Sequence, residues 1–160
     1  MRAIVTASLV LACGIALAPH AGATSTLSFT VETLEGLTTV HPHPPAGGVG
    51  DAYASTLELV NEGMSQLGKG ARAKVGTMQF TYTIRRQCAV AAGCVSTADF
   101  DTVTTLPGGK VIASGRSIPI SSATITIPVT GGTGRFVGAK GSVTISPTRT
   151  KRSTYTLELP

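Results

Sequence analysis

The chain has 160 residues and a sparse, mildly basic charge: Lys and Arg total 13, Asp and Glu total 8, and the formal net charge is +5. Aromatic residues make up 4% of the chain and tryptophan is absent, so the scattered cations have no interleaved stacking residues and a nucleic-acid partner is excluded. Once an export segment is set aside, the remainder has room for one domain with a real core and none for a second.

Met1–Ala23 opens with Arg2, continues as an apolar run and ends in Pro19, His20 and the small residues Ala21, Gly22 and Ala23. This pattern predicts a secretory signal peptide cleaved after Ala23. The apolar run is too short to span a bilayer comfortably, so no membrane association is expected after cleavage. A rival reading is lipid attachment at Cys13, from the box-like VLAC at Val10–Cys13, but the apolar stretch runs on past that cysteine. Residues 24–160 are expected to form a single secreted domain, extracellular or periplasmic.

From Leu27 onward, Thr, Val, Ile and Ser alternate between Gly, Pro and Asn punctuation without helical periodicity, which predicts an all-β domain. In a first strand at Leu27–Glu35, the apolar set Leu27, Phe29 and Val31 continues through Thr33, Glu35 and Leu37. Alternation therefore puts Glu35 on the inner face and Glu32 on the outer, unless a bulge shifts the register. Pro-rich HPHPPAGG (His41–Gly48) cannot donate to a ladder and reads as a loop. His41 and His43 offer two imidazoles there without a third ligand, so no metal is expected. A second strand follows at Ala52–Val60, then a polar loop at Asn61–Lys74. The third strand, Val75–Arg86, turns Met78, Phe80, Tyr82 and Ile84 inward and Gln79, Thr81 and Thr83 outward.

Cys88 and Cys94 remain as a pair in the mature chain, and an even count in an oxidising compartment predicts a disulfide. The spacing is not C-x-x-C and no His lies nearby, which disfavours a redox or metal site. Closing so short a loop contributes about 2 kcal/mol, enough to staple a hairpin tip and too little to build a fold. Strands at Ala98–Leu106 and Lys110–Gly115 flank LPGGK, where Gly108 and Gly109 supply the positive φ of a tight hairpin. Asp99 and Asp101 share the face opposite Phe100 and are expected to be solvated. Ser117 and Ser122 have no His on any strand to complete a hydrolase triad. Strands at Ala123–Thr130, Gly141–Ser146 and Ser153–Leu159 complete a barrel or a sandwich.

The stretch IPVTGGTGRFVGAKGSVTIS, residues 127–146, concentrates glycines between two strands. A phosphate loop needs a Lys, then Ser or Thr, then a helix; here Gly134 leads to Arg135, Phe136 and another strand, so nucleotide binding is excluded. Gly131, Gly132 and Gly134 at least permit a sharp bend between antiparallel strands. The order of strand, GG-[TA]-G turn, Phe and x-A-x-G step also resembles the signature of allene oxide cyclases and dirigent proteins, matched by Gly131, Gly132, Gly134, Phe136, Ala139 and Gly141. GVGDAYASTLELVN at 48–61, AKVGTMQFTYTI at 73–84 and TLPGGKVIASG at 105–115 keep the family's order, so the likeness spans Leu27–Leu159.

The resemblance implies an eight-stranded antiparallel β-barrel, usually trimeric, with a ligand cavity opening at one end. In the cyclases a first-strand Glu followed two residues later by Asn steers ring closure. Matching by face puts Thr33 and Glu35 at those positions, whereas matching by residue type selects Glu32 with Leu34. Either way the pair is broken, and jasmonate-type cyclisation is not expected. A carboxylate in an apolar barrel has its pKa raised by desolvation and can move a proton near neutral pH. The sequence thus points to a secreted barrel that steers cyclisation or isomerisation of an apolar lipid, polyketide or phenolic substrate without a cofactor. Glu35 or Glu32 is the candidate acid/base and Tyr82 the orienting donor; Thr33, Met78 and Phe80 are candidate ligand contacts, and Arg135 is read either as a contact at the cavity mouth or as a solvated turn residue. The alternatives are a non-catalytic carrier of an apolar ligand in the manner of lipocalins, or an interaction module with a filled barrel.

Overall fold

The computed structural model describes residues 25–34, 38–41, 48–62, 67, 70, 72–88, 94–120, 124–146 and 152–160. The signal segment with Cys13, together with Glu35, His43 and Ser122, lies outside the described residues. Among the described residues nine antiparallel strands follow one another: β1 (Ser25–Leu34), β2 (Thr38–His41), β3 (Ala52–Asn61), β4 (Lys74–Arg86), β5 (Thr97–Leu106), β6 (Gly109–Pro119), β7 (Ile125–Gly134), β8 (Lys140–Ser146) and β9 (Arg152–Leu159). From β3 to β9 each pairs with its successor; β9 pairs with β1, and β1 pairs back onto β3. Eight strands therefore close a barrel, and closure removes the free edges that an open sheet would expose.

The seam explains the ninth strand. β1 contacts only the C-terminal half of β3, Glu58–Asn61, while β2 takes the N-terminal half, Ala52–Ser55, in the same direction. β1 and β2 thus share one edge of β3. His41, expected in a loop, instead ends β2, because its prolines begin one residue later and leave Thr38–His41 free to pair.

Alternation sorts the side chains. Leu27, Phe29 and Val31 of β1, Val111 and Ala113 of β6, Ile127 and Val129 of β7, and Tyr155 and Leu157 of β9 are buried in one cluster. Each such burial stabilises by roughly 1.5–3 kcal/mol for a large aliphatic or aromatic side chain. The outer positions carry Thr, Ser and charge, as in the hydrogen-bonded pairs Thr30–Thr154 and Thr126–Thr144.

The two ends of the barrel differ. At one end lie the β5–β6 turn, the β7–β8 turn and the C-terminal Pro160; this is the glycine end. Here β7 runs on to Gly134, beyond the expected Thr130, because Gly132 lets strands approach where a side chain could not: a β-carbon on it would sit 2.5 Å from the carbonyl oxygens of both Lys110 and Phe136. Gly134 adopts φ 61°, the left-handed turn conformation that glycine permits at no steric cost. The following turn, closed by Phe136 N–H to Thr133 O and Ala139 N–H to Phe136 O, drops Phe136 into the barrel, where it is wholly buried. The opposite end carries the β4–β5 connection, with Cys88 and Cys94 joined in a disulfide (Cα–Cα 5.7 Å), and the start of β3.

Candidate functional site

The interior of the barrel is packed toward the glycine end. Phe29 and Tyr155 stack at 4.7 Å, and the Tyr155 hydroxyl is 2.8 Å from the Thr104 hydroxyl, so the one fully buried tyrosine has a partner. Burial pushes its phenol far above the ordinary value, with the Thr104 hydrogen bond working in the opposite direction. This tyrosine is structural.

Toward the other end, the tyrosine end, the interior opens. β3 and β4 pair with Tyr53 opposite Tyr82 and Ser55 opposite Phe80, and β5 sets Phe100 opposite Tyr82. These positions share the inner face, so their rings meet. Tyr53 and Tyr82 stack at 4.6 Å and 9°, Tyr82 and Phe100 at 5.6 Å, and Phe80 lies within 5.7 Å of both Tyr82 and Phe100. Beside them is a cavity of about 210 Å³ lined by Tyr53, Ala54, Ser55, Leu57, Phe80 and Tyr82. Among the described residues its walls are aromatic and aliphatic, and its polar side chains are two phenols and a serine. None of these lining residues is charged.

Burial raises the Tyr82 pKa above the usual phenol value, and the neighbouring Tyr53 pushes it further the same way. The Tyr82 hydroxyl therefore stays protonated and able to donate across the neutral range. Such a pocket can hold a small flat molecule against a ring face and hydrogen-bond its polar edge.

The residues singled out from sequence distribute unevenly over this geometry. Phe80 and Tyr82 line the cavity. Met78, further along β4 and fully buried, belongs to the packed core and not to the cavity lining. Glu32 alternates with Val31 onto the outer face, opposite the backbone of Arg152. Thr33 pairs with Leu59 in the barrel seam. Glu35 lies outside the described residues; its described neighbours Leu34 and Thr38 pair with Glu58 and with the cavity residue Ser55. Arg135 lies in the turn at the glycine end, where its N–H bonds Gly108 O and its guanidinium lies 5.3 Å from the Phe136 ring centroid. Gly131, Gly132, Gly134, Phe136 and Gly141 cluster at that same end.

Two features were missed in the sequence. Tyr53 is legible in hindsight, because Leu59 and Leu57 extended backwards in steps of two reach Ser55 and Tyr53. Asp99 and Asp101 are not merely solvated. Register shifts in β4–β5 and β5–β6 leave Asp99 facing Ser117, whose backbone has φ 52°. Asp99 accepts the Ser117 N–H at 2.9 Å and the Arg85 Nε–H at 2.8 Å, and these hold its pKa below the ordinary carboxylate range. Asp101 accepts both Arg116 Nη groups and the Ser114 hydroxyl, which lower its pKa likewise.

Searches of family models and of curated protein sequences find no match. Solved structures do match. The chain is similar to a pyocyanin demethylase, at 23% identity and TM-score 0.63, over 85% of this chain and 100% of that one. It is similar to AbnU, an exo-specific intermolecular Diels-Alderase, at 14% identity and TM-score 0.65, over 86% of this chain and 99% of that one. The pterocarpan synthase dirigent protein GePTS1 matches at 16% identity and TM-score 0.58, over 85% of this chain and 88% of that one. At such identities the likeness speaks for the fold, and the fold is that of the allene oxide cyclase and dirigent-like barrels.

Proposed function

We propose that this chain is an exported barrel that binds an apolar small molecule at its tyrosine end and steers that molecule's cyclisation or isomerisation. The observation that carries the reading is the aromatic cavity placed where the barrel interior stops being filled, with two phenols on its wall. Barrels of the same fold include a Diels-Alderase and a pterocarpan synthase dirigent protein, which supports ring-forming chemistry as the class to test first. Tyr82 orients the ligand through its phenol. Glu35 is the acid/base group proposed from the sequence, with Glu32, which pairs with Arg152 across the β1–β9 ladder, as the alternative. Confinement of a flexible substrate in a folded shape would supply much of the acceleration. Export rests on the signal segment and agrees with the Cys88–Cys94 disulfide; assembly as a trimer is proposed on the resemblance alone.

A second reading is a carrier, and the aromatic and aliphatic walls that Tyr53, Leu57, Phe80 and Tyr82 give the cavity favour it. Incubating the mature chain with a panel of linear polyenes and phenols, and following mass-neutral conversion by chromatography, separates the two. The catalytic reading expects conversion by the wild type and a loss of about 10²-fold or more in Glu35→Gln. Tight binding without conversion would assign a carrier.

A further inference from the structure

Tyr53 and Tyr82 occupy directly paired positions on adjacent strands and project to the same face. Their rings are stacked almost parallel with centroids 4.6 Å apart, and both residues line the cavity, so the two phenols sit together on one wall. Neither hydroxyl has a hydrogen-bond partner among the described residues. Tyr155, by contrast, is bonded to Thr104. Two unspent donors, side by side at the edge of an apolar cavity, form a recognition element. An sp² oxygen presents two lone pairs in one plane, and a donor on each is the arrangement that a ketone or enone carbonyl accepts.

Resting on the ligand-binding reading above, we infer that Tyr53 and Tyr82 act together as a two-donor clamp for the carbonyl oxygen of a small, flat, conjugated ligand whose ring or polyene lies against the aromatic wall. The wall sets the shape of the ligand: Tyr53, Phe80 and Tyr82 line the cavity with ring faces and edges that suit a planar π-system. The cavity sets its size, because about 210 Å³ is below the roughly 300–1,000 Å³ of sites for drug-sized ligands. One or two fused rings fit that limit. Donors aimed at a conjugated carbonyl also withdraw electron density from the attached double bonds, which is the polarisation that a ring-closing addition uses. Tyr53 is thereby a specificity-determining residue alongside Tyr82.

The test uses two probes of one shape, 2-acetylnaphthalene and 2-isopropenylnaphthalene, which differ by an oxygen in place of a methylene. Their affinities for the mature chain, for Tyr53→Phe, for Tyr82→Phe and for the double variant are measured by calorimetry. The wild type is expected to bind the ketone about 10-fold or more tightly than the hydrocarbon; each single variant should lose about 3- to 10-fold for the ketone alone, and the double variant should show no preference. Unchanged hydrocarbon affinity in the variants marks an intact pocket, so a folding defect cannot imitate the result. If both probes bind the wild type equally, or if the preference survives in the double variant, the clamp is overturned while the binding reading stands. If neither probe binds the wild type, the cavity is not a site for flat aromatic ligands, and both fall.

Discussion

The glycine end and the tyrosine end of this barrel are built from the same strands but solve opposite problems. At the glycine end, residues without side chains let three backbone segments crowd together, and Phe136, Leu157 and the Phe29–Tyr155 stack fill the space so released. The tyrosine end gathers four rings on the three adjacent strands β3, β4 and β5. Tyr53, Phe80 and Tyr82 remain half-buried, and their stacking leaves a cavity in place of a plug. The contrast teaches where each kind of work is done: a barrel of this size can be filled throughout, so an unfilled end lined by rings is the part free to bind.

The largest way to break the comparison is to empty the filled end. Phe136→Ala should destabilise by about 3–5 kcal/mol, because a wholly buried aromatic is replaced by a cavity. Leu57→Ala, at the cavity wall, should cost under about 2 kcal/mol because that side chain already borders empty space. Urea denaturation of the two variants gives both numbers, and equal costs would erase the distinction between the ends.

The next effect falls on the open end. Replacing both Cys88 and Cys94 with Ser should lower stability by about 2 kcal/mol, the entropy of a short closed loop. Hydrogen exchange should show the loss concentrated in the facing ends of β4 and β5, with the β7–β8 turn unchanged. A smaller pair of changes separates the tyrosines. Tyr155→Phe leaves the buried Thr104 hydroxyl without its partner and should cost about 1–2 kcal/mol. Tyr82→Phe removes a hydroxyl that no described residue engages and should leave the melting temperature within a degree or two of the wild type.

The sequence made the glycine end more legible than the tyrosine end, for a physical reason. Glycines at a tight turn are conformational necessities, and a short string such as GGTGRF carries that necessity in its spelling. The inner faces of β1 and β4 were equally plain, because Leu27, Phe29 and Val31, or Met78 through Ile84, alternate without interruption. A cavity, however, is a property of what faces what across the barrel. That Met78 is packed while Phe80 borders a void depends on their cross-strand partners. For a similar reason, nothing local in the turn that bears Arg135 says at which end of the barrel it lies. The role of Asp99 depended on register shifts in two ladders, which displace a carboxylate expected in water onto a backbone N–H.

That carboxylate provides the smallest and most discriminating test, because it asks whether the open end is held from outside. Asp99 joins β4 through Arg85 and β6 through Ser117, and Asp101 joins β6 through Arg116 and Ser114. Both folded-state pKa values are lowered, so the unfolded chain takes up protons first as the pH falls. Their stabilisation is therefore complete above the ordinary aspartate value of about 3.9 and is lost as the pH drops through the lower folded values. Wild-type melting temperature should fall below about pH 4, and Asp99→Asn should be lower at neutral pH and less steep on the acid side. Salt then divides the causes. The Ser117 N–H is the largest influence on Asp99, and a fixed backbone donor is screened far less than an exposed guanidinium. At 1 M salt the Asp99-dependent acid slope should persist, while the part due to Asp101, which rests first on Arg116, should shrink. An acid slope that salt abolishes entirely would mean that the arginines alone carry the clamp and that the strained Ser117 backbone contributes nothing to holding the open end.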